Sequence, residues 1–340
     1  MDTRFNCLPT MIGSMPHTDP EAAWKLTSRY LKDIPVWPQL PKQSVREDMI
    51  IQFSEVFPGA TIEGNRLVIK QSGNFNDELE KLYTAYLAGD YSGYPTTKEY
   101  AAGLHKMLSS GVSPKAVKGQ ITGPVTWGLS VIDENKKAII YDDILGDAVS
   151  KFLRLKASWQ EQALKKISPN TIIFFDEPYM VSFGSATLTI SQEKVAGLWE
   201  EVFQGVSGLK GVHCCGNTDW SVLLATGVDI LSFDTYNYAG SLALYPEGVK
   251  QFIDRKGVIA WGVVPNTEDA LRKETAAGLQ DRLEDAMAPF DKKGIPFNKL
   301  VGQGLLTPSC GLEGLSIEGA EQALTLLAEL SGNVRKRYAR

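Results

Sequence analysis

Short runs of apolar, often β-branched residues alternate along the chain with longer stretches whose apolar positions recur at helical spacing, the pattern of βα units in a parallel sheet. Eight such runs predict strands over 8–14, 34–40, 116–122, 171–176, 210–215, 229–234, 257–264 and 299–306. Amphipathic stretches over 139–167, 191–204, 246–255, 267–288 and 316–332 predict helices, each opening near a Pro, Ser, Thr or Asp of the kind that starts one. The expected fold is α/β, a single (β/α)8 barrel of the TIM type spanning 1–340. Residues 41–115 are too long for one βα connection; they hold an apparent ribbon, TIEGNRLVIK, and two helical segments. They are expected to form an insertion after the second strand, lying over the barrel mouth.

Composition narrows the class. With 43% hydrophobic and 22% charged residues in 340, the chain can bury a large core, and no apolar run approaches the roughly 18 residues that would span a bilayer. A net charge of −5 with scattered basic residues argues against a surface that tracks phosphates, so no nucleic acid and no membrane is expected as a partner. The opening MDTRFNCLPTMIGS has no basic segment followed by an apolar one, and a cytoplasmic location is the expectation. Cys7, Cys214, Cys215 and Cys310 are too few and too uneven for a disulfide framework. In a reducing compartment they are free thiols or metal ligands.

The chemically capable residues gather at the ends of the predicted strands: Gly13 and Ser14, Gln39, Thr122, Asp176 and Glu177, His213 to Cys215, Asp234, Asn266, then Ser309 and Cys310. In a parallel barrel those ends converge on one face, where catalysis sits. Side chains alternate along a strand, so His213 and Cys215 share a side while Cys214 points away. Cys310, in the loop TPSCG after the last strand, can return near them across the mouth. One imidazole and two thiolates suit Zn²⁺, and three protein ligands with an exchangeable fourth position mark a catalytic site. Asp234, ending the next strand, is the natural weak fourth ligand. Taken alone, H-x-C also fits small core groups; Cys7 and Cys214 read as core thiols.

The segments TMIGSMP, TGPVTW, FFDEP, H-x-C, SFDT and TPSCGL resemble, in order and approximate spacing, the catalytic half of cobalamin-independent methionine synthases. VHCCGNT is also similar to the zinc motif of methylcobamide:thiol methyltransferases related to uroporphyrinogen decarboxylase. The resemblance covers nearly the whole chain. It implies a zinc-dependent methyltransferase barrel whose metal is held by His213, Cys215 and Cys310, with Asp234 where methionine synthases carry a glutamate. It further implies homocysteine as acceptor, its ammonium met by Asp176 and its carboxylate by the turn Ile12, Gly13 and Ser14. Methionine synthases carry a glutamate where QSVREDM places Gln43, which puts amine recognition at that point in doubt.

The donor is a separate question. Methyltetrahydrofolate needs N5 protonated before that nitrogen can leave, and the folate-using enzymes supply a histidine after the seventh strand. Here that stretch reads WGVVPNTED, and the remaining histidines are His17, in SMPHT beside the substrate turn, and His105, in a helical segment. A methyl-corrinoid needs no acid, because reduced cobalt leaves without a proton. Methylcobalamin is therefore the expected co-substrate, free or on a corrinoid protein docking over the mouth, with Trp127, Tyr236 and Tyr238 as rim candidates. Another thiol acceptor, such as coenzyme M, and a folate donor are the alternatives.

Overall fold

The ten strands of the computed structural model, which describes residues 3–184 and 188–338, are β1 Leu8–Pro9, β2 Ala60–Glu63, β3 Arg66–Ile69, β4 Val117–Thr122, β5 Ile132–Asp133, β6 Thr171–Asp176, β7 Leu209–Cys214, β8 Ile230–Phe233, β9 Val258–Val264 and β10 Gly304–Pro308. Seven of them form one parallel sheet in the order β1-β10-β9-β8-β7-β6-β4. Helices connect successive strands and cover its outer face, as parallel strands require.

A closed ring of eight strands, as expected from the sequence, is not what forms. The run 34–40 is extended but is not a strand, because Pro35 and Pro38 have no N–H to give to a ladder. It nevertheless lies between the two edges of the sheet. Ala116 N donates to Asp33 O at 3.1 Å and Lys118 N to Pro35 O at 2.9 Å on the β4 side; Gln39 N donates to Gly13 O at 3.0 Å and Met15 N to Gln39 O at 2.9 Å on the other. Single bridges at Val36–Lys118 and Ser14–Gln39 are all the pairing that results. The first strand is likewise shorter than 8–14, and the last begins later than 299. Phe297–Gly302 is a helix, opened by Pro296, where a missing N–H costs nothing.

The alternation of side chains separates two cores. On the outer face, Ile173 and Phe175 of β6, Val212 of β7 and Leu231 of β8 pack in the large cluster under the helices. Helix Asp143–Leu164, capped by Asp142 through Ile144 N at 3.0 Å and Leu145 N at 2.9 Å, covers β4 and β6; helix Ile317–Tyr338 covers β1, β9 and β10. On the inner face, Leu8, Ile34, Ala116, Ile172, Phe174, Ile230, Val258, Ala260 and Leu305 form a second, smaller cluster near the strands' N-terminal ends. This is the floor of the curled sheet. Gly211 makes room in it, since a Cβ there would stand 2.3 Å from the Phe174 ring.

Within 41–115 the ribbon and both helices are present: β2 and β3 form a hairpin extended by β5, and Phe75–Ala88 and Ala102–Leu108 are helical. The residues near 50 lie against the C-terminal end of β4, where Thr122 Oγ1 donates to Met49 O at 2.5 Å and Trp127 Nε1 to Ile50 O at 2.8 Å. Helix Phe75–Ala88 instead packs on the outside, against helix Asp143–Leu164. Among the described residues no helix is long and apolar enough to cross a membrane.

Candidate active site

One row of side chains crosses the inner wall just above the floor. Asp176 of β6 is in register with His213 of β7, and His213 with Ser232 of β8. His213 Nδ1 lies 3.0 Å from Ser232 Oγ, which leaves Nε2 buried with no partner among the described residues. Burial, with the nearby Lys118 charge, pushes the imidazole down to about 3, so the ring is neutral at physiological pH. Asp176 Oδ1 is also buried and without a partner among the described residues. Unsatisfied groups of this kind cost about 1–3 kcal/mol each, so two of them in one row call for an explanation that packing does not supply.

Cys215 and Cys310 follow the ends of β7 and β10, and both are half-buried. The two thiols influence each other's ionisation. The neighbouring Cys310 thiol holds Cys215 below the ordinary thiol range despite burial, and Cys215, with burial, pushes Cys310 far up. Cys214 and Cys7 behave differently. Burial pushes each up to about 12, and their thiols donate to Gly216 O at 3.7 Å and Val301 O at 3.6 Å, as core thiols do. Asp234 caps the helix Thr235–Leu242, accepting from Asn237 N at 2.9 Å and Asn237 Nδ2 at 2.7 Å.

Among the described residues no three His, Cys, Asp or Glu side chains stand ready-grouped to hold a metal ion. The chemistry of the donors fits one all the same. A neutral imidazole with a buried Nε2 unpartnered among the described residues sits two residues before a thiol that Cys310 holds below its ordinary range. Asp234, tied up in a cap, is the least available of the four.

The turn Ile12, Gly13 and Ser14 is fixed from three sides. Lys118, fully buried on β4, donates from Nζ to Ile12 O at 2.7 Å, and its ammonium sits 4.2 Å over the Phe174 ring. A Cβ at Gly13 would stand 2.5 Å from Gln39 Oε1 and 2.6 Å from Gln120 Nε2, so only glycine fits the turn. Ser14 Oγ donates to Glu313 Oε2 from the loop after β10. Lys118 and Asp176 interact. Burial pushes Lys118 down and Asp176 up, and each is restrained by the other's charge, so the pair is neutral as a unit. Lys118 and Glu313 escaped the sequence reading, although VKGQIT alternates Lys118, Gln120 and Thr122 onto one side of its strand, a polar inner face that was legible.

Other expected members stand elsewhere. Trp127 is not on an exposed rim: it is fully buried, its ring 4.9 Å from Phe57 in a T-shaped contact, because helix Pro124–Ser130 turns it inward. Tyr238 is exposed, while Tyr236 donates to Glu274 Oε1 at 2.8 Å. Gln43 is exposed; the buried acid of its segment, Glu47, braces Leu40 N and Ala102 N at 2.8 Å each. Glu177 is structural too, accepting from Val125 N at 3.0 Å, Thr126 N at 2.7 Å and Trp199 Nε1 at 2.8 Å. His105 Nε2 is 2.9 Å from Thr96 O, and His17 is buried, its Nδ1 without a partner among the described residues.

Neither a protein-family model nor a curated protein matches the chain. Solved structures do. A B12-independent methionine synthase from Shewanella sp. W3-18-1, in complex with selenomethionine, superposes with a TM-score of 0.59 at 17% identity, covering 97% of this chain and 98% of that one. A putative vitamin-B12 independent methionine synthase from Listeria monocytogenes gives 0.58 at 14% identity over 96% and 98%. A methyltransferase from Methanosarcina mazei gives 0.50 at 15% identity over 96% and 87%. Nearly end to end, the chain shares the fold of these proteins.

Proposed function

We propose that the protein transfers a methyl group to the thiol of homocysteine, giving methionine, at a zinc ion that His213, Cys215 and Cys310 would hold with Asp234 as a weak fourth ligand. The observation that carries this reading is the pairing of donors at the end of β7: a buried imidazole held by Ser232 through Nδ1, with Nε2 unpartnered among the described residues, two positions before the half-buried Cys215 thiol. The fold it shares with methionine synthases supports the choice of reaction.

A zinc ion there would lower the pKa of a coordinated thiol, turning a weak nucleophile into a thiolate at neutral pH. The chain's own residues do the rest. Ser232 holds the His213 ring by Nδ1 and so aims Nε2. Asp176, buried and with one oxygen free, receives the acceptor ammonium; Ser14 and the N–H groups around Gly13 receive its carboxylate. A thiol bearing a sulfonate and no amine would leave Asp176 unmatched, which favours homocysteine over coenzyme M. Lys118 keeps the turn in place through the Ile12 carbonyl and offsets the charge of Asp176.

The donor follows from what the mouth can protonate. The loop after β9 has Asn266 in place of a histidine, and Asn266 is engaged with Ser309 Oγ at 3.1 Å and Gly311 O at 3.2 Å. With no acid there to protonate a departing amine, the reading assigns a methyl-corrinoid, free methylcobalamin or a methylated corrinoid protein: the thiolate takes the methyl group, and cobalt keeps the electron pair of the broken bond and leaves as Co(I). The test is an anaerobic spectroscopic assay of zinc-loaded protein with homocysteine, offered methylcobalamin or methyltetrahydrofolate. Methionine with cob(I)alamin from the first and nothing from the second is expected; turnover with the folate would sink the donor assignment.

A further inference from the structure

A carboxylate of the protein already sits where the acceptor carboxylate is assigned. Ser14 Oγ donates to Glu313 Oε2, and Leu312 N donates to Ser14 O at 3.0 Å, clipping the loop after β10 to the substrate turn. The contact is close enough that a Cβ on Gly311 would stand 2.0 Å from Ser14 Oγ and 2.3 Å from Glu313 Oε2. Asn266 holds the loop from behind, donating to Gly311 O at 3.2 Å. Glu313 is half-buried, and among the described residues it forms no ion pair with a Lys, Arg or His. Its carboxylate accepts from an alcohol, and its charge adds to Cys215 and burial in pushing the Cys310 thiol up.

A serine hydroxyl has a single proton to donate. It can serve Glu313 or an incoming carboxylate, not both, and two carboxylates at one hydroxyl repel each other. We propose that Glu313 is a specificity-determining residue, an internal occupant of the carboxylate seat at Ser14 that an acceptor must displace. The proposal rests on the homocysteine reading above and adds to it a cost charged only to acceptors that carry a carboxylate. A thiol without one enters with Glu313 in place. Because the loop carrying Glu313 also carries Cys310, displacement of the carboxylate and approach of the sulfur take place on one segment.

The experiment compares binding of homocysteine and of its carboxylate-free analogue, 3-aminopropanethiol, to the wild-type protein, Glu313→Gln, Ser14→Ala and the double variant by calorimetry. Thermal unfolding of each variant serves as the check on folding. Glu313→Gln is expected to tighten homocysteine on the order of tenfold, the effect of one charge-assisted hydrogen bond, and to leave the analogue unchanged. That gain should vanish when Ser14 is also replaced. Equal changes for both thiols, or weaker homocysteine binding in Glu313→Gln, as would follow if Glu313 received the ammonium, would overturn the proposal. Homocysteine binding unaffected by the substitution overturns the seat and leaves the reaction standing; no homocysteine binding by any of the proteins overturns both.

Discussion

Phe174 and Asp176 are two residues apart on β6, face the same interior and are almost equally buried, yet they belong to different regions. Phe174 lies in the floor, among the apolar side chains of Ile172, Ile230, Ala260 and Leu305, with the Lys118 ammonium over its ring marking the boundary with the mouth. Asp176 lies in the mouth, with Lys118, His213, Ser232 and Thr307, where Asp176 Oδ1, His213 Nε2 and Thr307 Oγ1 have no partner among the described residues. The backbone ladder runs unbroken through both. What differs is only what the side chains are asked to do. The floor repays the entropy of ordering with buried area; the mouth spends some of that stability to keep polar atoms dry and free.

The comparison is broken most severely from below. Phe174→Ala should cost about 3–5 kcal/mol, the usual range for emptying an aromatic site in a rigid core, read as a shift in urea midpoint at unchanged m. A loss under about 1 kcal/mol would mean that the floor is soft and collapses around the gap. In the mouth, Lys118→Met should cost about 3 kcal/mol, as removing one member of a buried charge pair does, because Asp176 is left as an uncompensated anion. Adding Asp176→Asn should recover much of that loss, so the two substitutions are expected to be far from additive. Strict additivity would show that Lys118 acts through the Ile12 carbonyl alone.

How much of this was legible in the sequence follows the same division. Strands β4, β6, β7, β8 and β9 were placed within a residue or two, because strands buried on both faces are short, mostly apolar and β-branched runs bounded by polar or turn residues. The segment 34–40 misled for the same reason: IPVWPQL is apolar and sits in the wall, but two prolines deny it the ladder, and only its few bridges tie it in. The polar strand ends were readable because chemistry needs particular residue types there. Their partners were less so. Glu313 meets Ser14 across 299 positions of sequence, and no local pattern encodes that contact. Trp127 was misplaced because an aromatic after a strand end fits a rim and a core equally well, and only packing against Phe57 and Phe152 decides.

Two smaller substitutions sharpen the comparison. Ser232→Ala removes the hydroxyl that holds His213 Nδ1, and should cost about 1 kcal/mol of stability, the net worth of one buried hydrogen bond. The same change should weaken zinc binding about tenfold or more, as loss of an orienting partner does, measured by competition with a chromogenic chelator. Unchanged affinity would show that the ring is aimed by packing instead.

Cys310→Ser gives the smallest expected change in stability and the cleanest separation of the two regions. Cys310 is half-buried in a loop, makes no contribution to the floor, and its replacement differs by one atom, so the metal-free protein should unfold within about 0.5 kcal/mol of the wild type. Zinc content should nevertheless fall from near stoichiometric to near zero, because a hydroxyl does not give up its proton to a metal at neutral pH as a thiol does. Cys215 should at the same time ionise less readily, since Cys310 is the largest influence holding it below the ordinary thiol range, and pH-dependent alkylation would then show it titrating higher. A variant that kept its zinc would remove Cys310 from the ligand set. One that lost several kcal/mol would mean that the mouth, as well as the floor, holds the fold together.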